Sequence, residues 1–240
     1  MGGADGINLI TDAAGNARYV GEVVNNSDEV ACNIGVSVNS YDASDELLTN
    51  PGNQQFGFAN LLGESFRFST SSSQTVENCL SPGHRASFDI RNDFTPTRVA
   101  RFAASTTCDG PLFVGCTALN TQPFAYPVAV LELDGSVTQT TTPAGNVVYT
   151  GTIRNSSITG AAPTYHVKIV FTARNSEGLV VDVACATMDG PDCPVPAGSS
   201  GTAVAFGPGD AWDFTVFTSI TPDQTCANCF SYIINQRPSP

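Results

Sequence analysis

Basic charge is what this sequence has least of. Its 240 residues include 10 Lys and Arg against 22 Asp and Glu, giving a formal net charge of −12. A surface of that sign repels phosphate backbones and anionic bilayers, which argues against nucleic acid and acidic lipid as partners. Charge of either sign is scarce at 13%, about half the roughly 25% usual in soluble domains. Polarity comes instead from Ser, Thr, Asn and Gln, a composition suited to extracellular β proteins. The chain also has few reactive groups: two histidines, His84 and His166, and a single tryptophan, Trp212. No segment reads as a signal peptide or a membrane span. Met-Gly-Gly at the start reads as an expression remnant ahead of a trimmed ectodomain.

Sustained helical periodicity is missing as well. Period-two alternation replaces it. Tyr19, Gly21 and Val23 alternate with their neighbours, as do Ile34, Val36 and Val38, Phe66 with Phe68, and Phe88 with Ile90. Later runs are Tyr149, Gly151 and Ile153; Val167, Ile169 and Phe171; Trp212, Phe214 and Val216; Phe230, Tyr232 and Ile234. Turn signals rich in Asn, Asp, Ser, Pro and Gly separate them. Short strands at this spacing predict an all-β sandwich or barrel. A short helical turn is expected over 58–63, a first strand of the second half over 128–133, and a loop or irregular edge over 137–143.

What the chain does have is an internal repeat. AGNARYVGEVVNNS (14–27) aligns without gaps on AGNVVYTGTIRNSS (144–157), with seven identities: Ala, Gly, Asn, Tyr, Gly, Asn and Ser. PGHRASFDI (82–90) and PGDAWDFTV (208–216) follow in the same order. Two copies of one domain are therefore expected, 1–124 and 125–240, each of a size that can carry its own core. The boundary falls near Gln-Pro-Phe-Ala-Tyr-Pro (122–127). Val36, Val38, Phe88, Ile169, Phe171, Trp212 and Phe214 are the expected core.

Copy one has Gly-Glu-Val-Val-Asn-Asn-Ser (21–27), Val38-Asn-Ser-Tyr41-Asp42, Asp-Glu-Leu-Leu (45–48), and Pro82-Gly83 with Phe88. Copy two has Gly-Thr-Ile-Arg-Asn-Ser-Ser (151–157), Phe171-Thr-Ala-Arg-Asn175, Glu-Gly-Leu-Val (177–180), and Pro208-Gly209 with Phe214. This order of features resembles the FxLYD family of bacterial and archaeal extracytoplasmic domains. Copy one keeps Tyr-Asp of that signature with Val and Ser at the Phe and Leu positions, and copy two keeps Phe with Arg-Asn at the end. The resemblance implies two tandem immunoglobulin-like β-sandwich domains and no reaction, because that family supplies no catalytic residues to carry over.

Eight cysteines divide four and four: Cys32, Cys79, Cys108 and Cys116, then Cys185, Cys193, Cys226 and Cys229. Even counts in such a chain suggest disulfides and an oxidising compartment. All are expected to be oxidised within their own repeat. Three pairings are open in each; the favoured set is Cys108–Cys116 and Cys185–Cys193, leaving Cys32–Cys79 and Cys226–Cys229. Cys226-Ala-Asn-Cys229 also fits a redox dithiol or half of a zinc site, but its surroundings read as strand rather than as the start of a helix.

Other chemistry finds less support. His84 follows a Pro-Gly turn and is expected at the surface, and His166 lies in a strand on the face opposite Tyr165. No Gly-x-Ser-x-Gly elbow accompanies them. A copper site would take two His, a Cys and Met188, but the histidines fall in different repeats. Asp-Ala-Ser-Asp-Glu (42–46) lacks the length and glycine of a calcium loop and reads as an acidic turn. Trp212 could be a sugar platform, yet it alternates with core residues. The Asn-x-Ser sequences at 25–27 and 155–157 match the glycosylation sequon and are assigned to turns. No metal or cofactor is expected.

The reading of the sequence as a whole is a non-enzymatic extracytoplasmic module, secreted or anchored at the surface of a bacterial or archaeal cell. It would serve protein interaction, adhesion or spacing. Its partner would be a protein or glycan at the cell surface, with no nucleic acid and no direct membrane insertion. The alternatives are a carbohydrate-binding accessory module and a hydrolase. The copies are expected to differ most in loops over 64–83 and 193–201.

Overall fold

The computed structural model describes residues 6–12, 14–28, 31–32, 34–48, 57–60, 64–69, 74–107, 129–190 and 204–237. The first half contributes β1 (Asn8–Thr11), β2 (Ala17–Val24), β3 (Ala31–Cys32), β4 (Gly35–Tyr41), β5 (Gly57–Asn60), β6 (Glu64–Ser69), β7 (Gln74–Leu80), β8 (Arg85–Arg91) and β9 (Arg101–Thr107). The second contributes β10 (Leu131–Leu133), β11 (Thr138–Thr141), β12 (Val147–Asn155), β13 (Tyr165–Arg174), β14 (Val180–Thr187), β15 (Ala211–Phe217) and β16 (Phe230–Arg237). A 3-10 turn at Pro96–Arg98 is the only helical element among the described residues. The protein is all-β, as the alternation predicts.

The same pairing occurs in both halves, always antiparallel. In the first, β2 lies between β1 and β8, and β4 between β5 and β9. In the second, β12 lies between β11 and β15, and β13 between β14 and β16. Each half closes a core between its two sheets, an arrangement of the β-sandwich kind. Tyr19, Val36, Val38, Phe88 and Ile90 fill the first, and Tyr149, Ile153, Ile169, Phe171, Phe214 and Val216 fill the second. Trp212 is only partly buried, at the margin of the second core.

The repeated residues form one local device, built twice. Ser81-Pro82-Gly83-His84 and Gly207-Pro208-Gly209-Asp210 are turns closed by His84 N–H to Ser81 O and Asp210 N–H to Gly207 O, each 3.0 Å. Pro at the second position and φ of +75° at Gly83 and +88° at Gly209 define type II, which disfavours a side chain at the glycine. The buried Asn of each Asn-x-Ser holds that turn. Asn25 N–H donates to His84 O at 3.0 Å, Gly83 N–H to Asn25 O at 2.8 Å, and Asn25 Nδ2 to Leu80 O at 2.7 Å. The second copy repeats these with Asp210 O (3.0 Å), Gly209 N–H (2.8 Å) and Phe206 O (2.9 Å) around Asn155. Ser27 and Ser157 donate their backbone N–H to the same asparagine's Oδ1 at 3.1 Å. The two sequons are thus interior clamps rather than open turns.

Farther along, Gly21 pairs with Phe88 and Gly151 with Phe214. A Cβ on Gly21 would lie 2.7 Å from Phe88 Cζ, and one on Gly151 2.8 Å from Phe214 Cζ. The glycine therefore makes room for the ring of the strand that the Pro-Gly turn delivers. The Gly-Asn pairs at 15–16 and 145–146 close the preceding hairpins: Asp12 N–H donates to Asn16 O at 2.9 Å, and Thr142 N–H to Asn146 O at 2.8 Å. Tyr19 and Tyr149 are fully buried. The Tyr19 hydroxyl shares a 2.5 Å bond with Ser40, and the Tyr149 ring stacks on Phe171 at 4.8 Å. Four of the seven identities thus have a structural reason: the turn glycine at positive φ, the buried tyrosine, the glycine under the phenylalanine ring and the clamping asparagine.

Several expectations need correction. Residues 58–60 belong to strand β5 rather than a helical turn. Thr138–Thr141 is a regular edge strand paired with β12, because its threonines favour extended backbone. The strand expected over 128–133 is shorter, Leu131–Leu133, and pairs with the far end of β12. The stretch 64–83 is largely β6 and β7, which with β3 form a separate three-stranded sheet. That sheet has no counterpart among the described residues of the second half. The expected boundary at 124/125 and the 193–201 loop lie outside the described residues.

Candidate functional site at the seam between the halves

The outward face of β1, β2 and β8 lies against the outward face of β13 and β14. Core residues Tyr19 and Phe88 point inward, so Arg18, Val20 and Glu22 on β2 and Ser87 and Asp89 on β8 point the other way. Facing them are Val170, Thr172 and Arg174 on β13, and Val180 and Val183 on β14. Val180 and Val183 are three apart, yet they share a face because β14 carries one extra residue opposite Ala173 and Arg174. Val20, Val170, Val180 and Val183 form one buried cluster, with Ile10 and Cys185 against it.

An ion network lies beside that cluster. Arg18 Nε donates to Asp89 Oδ1 at 2.7 Å and Nη2 to Asp89 Oδ2 at 3.1 Å, a bidentate fork. Nη1 reaches Asp182 Oδ1 at 2.5 Å and Ser219 Oγ at 3.2 Å, and Nη2 also donates to Val183 O at 2.6 Å. Asp182 Oδ2 accepts from Ser219 N–H at 2.7 Å and Ser219 Oγ at 3.0 Å, while its Oδ1 accepts Val183 N–H at 2.9 Å. Side-chain exposure is 4% for Arg18 and Asp89 and 2% for Asp182. Burial pulls the Arg18 guanidinium toward its neutral form, but Asp182 and Asp89 outweigh it and raise its pKa above the ordinary arginine value. The group is a permanent cation held between two carboxylates, one from each half.

Polar ties extend the seam. Ser87 and Thr172 share a hydrogen bond between their hydroxyls, and Arg174 pairs with Glu22 and donates to Ser231 Oγ at 3.1 Å. Arg85 approaches Glu22 from the solvent side at 3.8 Å. Asn8 Nδ2 donates to Val180 O at 3.2 Å. Between them these groups tie the facing strands of the two halves together.

Apart from Cys185, which packs against the valine cluster, the described residues singled out from the sequence lie elsewhere and apart. His84 is exposed on its Pro-Gly turn. His166 sits at a bulge in β13 with φ +50° and faces Asp189, Nδ1 to Oδ2 2.6 Å. Met188 packs at the edge of the second core. Asp42 accepts Ser44 and Glu46 N–H at 2.8 and 3.0 Å, and Asp45 pairs with Arg101, so 42–46 is a self-contained turn. No group of three or more His, Cys, Asp or Glu among the described residues is placed to hold a metal ion. Likewise, no helix among them is long and apolar enough to cross a membrane.

Cys226 and Cys229 are joined by a disulfide with Cα atoms 5.1 Å apart. They stand in a turn just before β16 rather than in a strand, Cys229 N–H donating to Cys226 O at 3.1 Å. Cys185 is disulfide-bonded too. The β3–β7 register sets Cys32 opposite Cys79. Cys108, Cys116 and Cys193 lie outside the described residues.

Sequence reasoning missed Arg18, Asp89 and Asp182. The available signal was a difference between the copies: Arg18 and Asp89 align with Val148 and Thr215, so at these two positions one copy carries charge where the other is neutral. No family model matches the chain, and no curated protein matches it.

Proposed function

We propose that this chain is a non-enzymatic extracytoplasmic module of two tandem immunoglobulin-like sandwiches, of the kind the FxLYD resemblance implies. Its task would be to hold or present a binding surface at a cell surface. The observation that carries this reading is the packed, charge-paired seam. Small-molecule and catalytic sites favour clefts between domains, and here that position is taken by four valines and a buried cation between two carboxylates. Buried charge of this kind costs desolvation and returns a defined geometry. A spacer or presenting module needs a defined geometry; a hinged catalytic cleft would need the reverse. Surfaces left for a partner are the loops at the sandwich ends and the outward face of β11, β12 and β15. That face sets Thr138, Thr150 and Thr215 in one cross-strand row beside Phe217, which is 67% exposed.

The experiment is a paired screen of the purified chain. Polysaccharide, peptide and ester panels should give no turnover, and a cell-surface protein or glycan should give saturable binding. Reproducible turnover would refute the reading. Binding to a glycan that Phe217→Ala abolishes would replace it with the carbohydrate-binding alternative.

A further inference from the structure

We propose that the Cys226–Cys229 disulfide is a reducible latch on the seam, whose opening by a dithiol releases Arg174 and with it the Arg174–Glu22 tie between the halves. The bond spans only three residues of sequence, in a turn where Asn228 adopts φ +63°. Left-handed backbone is tolerated by Asn but is not a relaxed state for it. Both cysteines are partly exposed in a turn, and Cys185, also partly exposed, stands in strand β14 against the valines of the seam. A ring this short removes little freedom from the unfolded chain, so the bond holds its own turn more than the fold.

What that turn holds is Arg174. Arg174 N–H donates to Cys229 O at 2.7 Å, and Thr225 Oγ1 donates to Arg174 O at 2.6 Å. Both backbone groups of Arg174 are therefore gripped by the segment that leads into and contains the disulfide. The β13–β14 ladder shifts register at this residue, so its regular pairing is already interrupted there. The side chain fixed in this way crosses the seam to Glu22.

The chemistry is thiol–disulfide exchange with an extracytoplasmic dithiol as reductant. A thiolate of the dithiol attacks one of the two Sγ atoms, forming a mixed disulfide and expelling the other Sγ as thiolate. The second thiol of the reductant then closes its own disulfide and frees the first Sγ. Two electrons pass to the protein, the dithiol is oxidised, and its two protons finish on Cys226 and Cys229.

The test titrates the full chain with dithiothreitol under native conditions. Free thiols are alkylated and mapped by peptide mass spectrometry, with hydrogen exchange followed in parallel. Cys226 and Cys229 should be alkylated before the other six cysteines. Exchange should then accelerate about tenfold over 172–175 and 20–24, as expected for loss of a charge-assisted bond, with no change over 147–151. The Cys226→Ser/Cys229→Ser variant should reproduce that pattern without reductant. The proposal is overturned if this pair stays oxidised until the chain unfolds globally, or if it is reduced with exchange at 172–175 and 20–24 unchanged. Should the double variant fail to fold, the wild-type reduction series decides alone.

Discussion

Replacing Arg18 with alanine is the sharpest perturbation of the seam. The substitution removes five hydrogen bonds at once, two to Asp89 and one each to Asp182, Ser219 and Val183 O. It leaves two carboxylates with side chains 4% and 2% exposed and no buried cation between them. Asp182 keeps its bonds from Ser219 and Val183, and Asp89 keeps Arg91, so the loss is less than full isolation of two charges. Breaking a buried pair by removing one partner costs about 3–5 kcal/mol, a large part of the roughly 5–15 kcal/mol that holds a typical protein. Urea unfolding followed by Trp212 fluorescence reports the second half, and far-UV circular dichroism reports both. The two curves should coincide in the parent and separate in Arg18→Ala as the halves uncouple. A triple change, Arg18→Met with Asp89→Thr and Asp182→Asn, should recover most of the loss, because removing all the charge together also removes the desolvation cost. A single Arg18→Ala variant within about 1 kcal/mol of the parent, with coincident curves, would refute the assignment of the seam to buried charge pairing.

Gly151→Ala should cost about 1–3 kcal/mol in chemical denaturation, since its methyl would meet the buried Phe214 ring at 2.8 Å; a neutral result would mean that the ring has room to move. Asn155→Ala strips the clamp from a turn whose acceptor, Phe206 O, is buried with it, and should lower stability by about 1–3 kcal/mol, whereas the exposed neighbour Ser156→Ala should not. Burial raises the pKa of Tyr19, against the opposing bond from Ser40, and burial likewise raises that of Tyr149, against Thr225 and with help from Asp182. Raised folded-state values mean that their stability contribution is complete below the unfolded tyrosine pKa, about 10, and is lost as pH climbs through the folded values. Denaturation midpoints should therefore fall above that pH, and Tyr19→Phe with Tyr149→Phe should flatten the fall; an unchanged slope in the double variant would assign it to other groups.

Much of the fold could be read directly from residue order. Alternation such as Ile34, Val36, Val38 and Val167, Ile169, Phe171 forces one face inward, and every one of these six is buried. The repeated Gly, Asn-x-Ser and Pro-Gly were visible as a pattern because each obeys a short-range rule: a positive φ in a turn, or a side chain clamping the backbone of the neighbouring strand. Their joint purpose was not visible, since Asn155 meets Asp210 and Gly151 meets Phe214 only after the strands pair. Trp212 was misjudged for a related reason. Alternation places it on the inward face of β15, but its position near the strand end leaves it at the margin of the core.

The seam lay beyond any local rule. Arg18 and Asp182 are 164 residues apart in sequence, and Arg174 and Glu22 are 152 apart. An arginine on the outward face of a strand reads as solvated until a second sheet covers it, and nothing in its neighbours announces which sheet that will be. The one extra residue in β14 that turns Val180 and Val183 to the same side is equally silent, because a bulge is defined by the strand opposite it. Periodicity and turn chemistry, which act within a few residues, were thus decided by the sequence itself. The burial of a charge, and so the joining of the two halves, was decided only when distant faces met and excluded water.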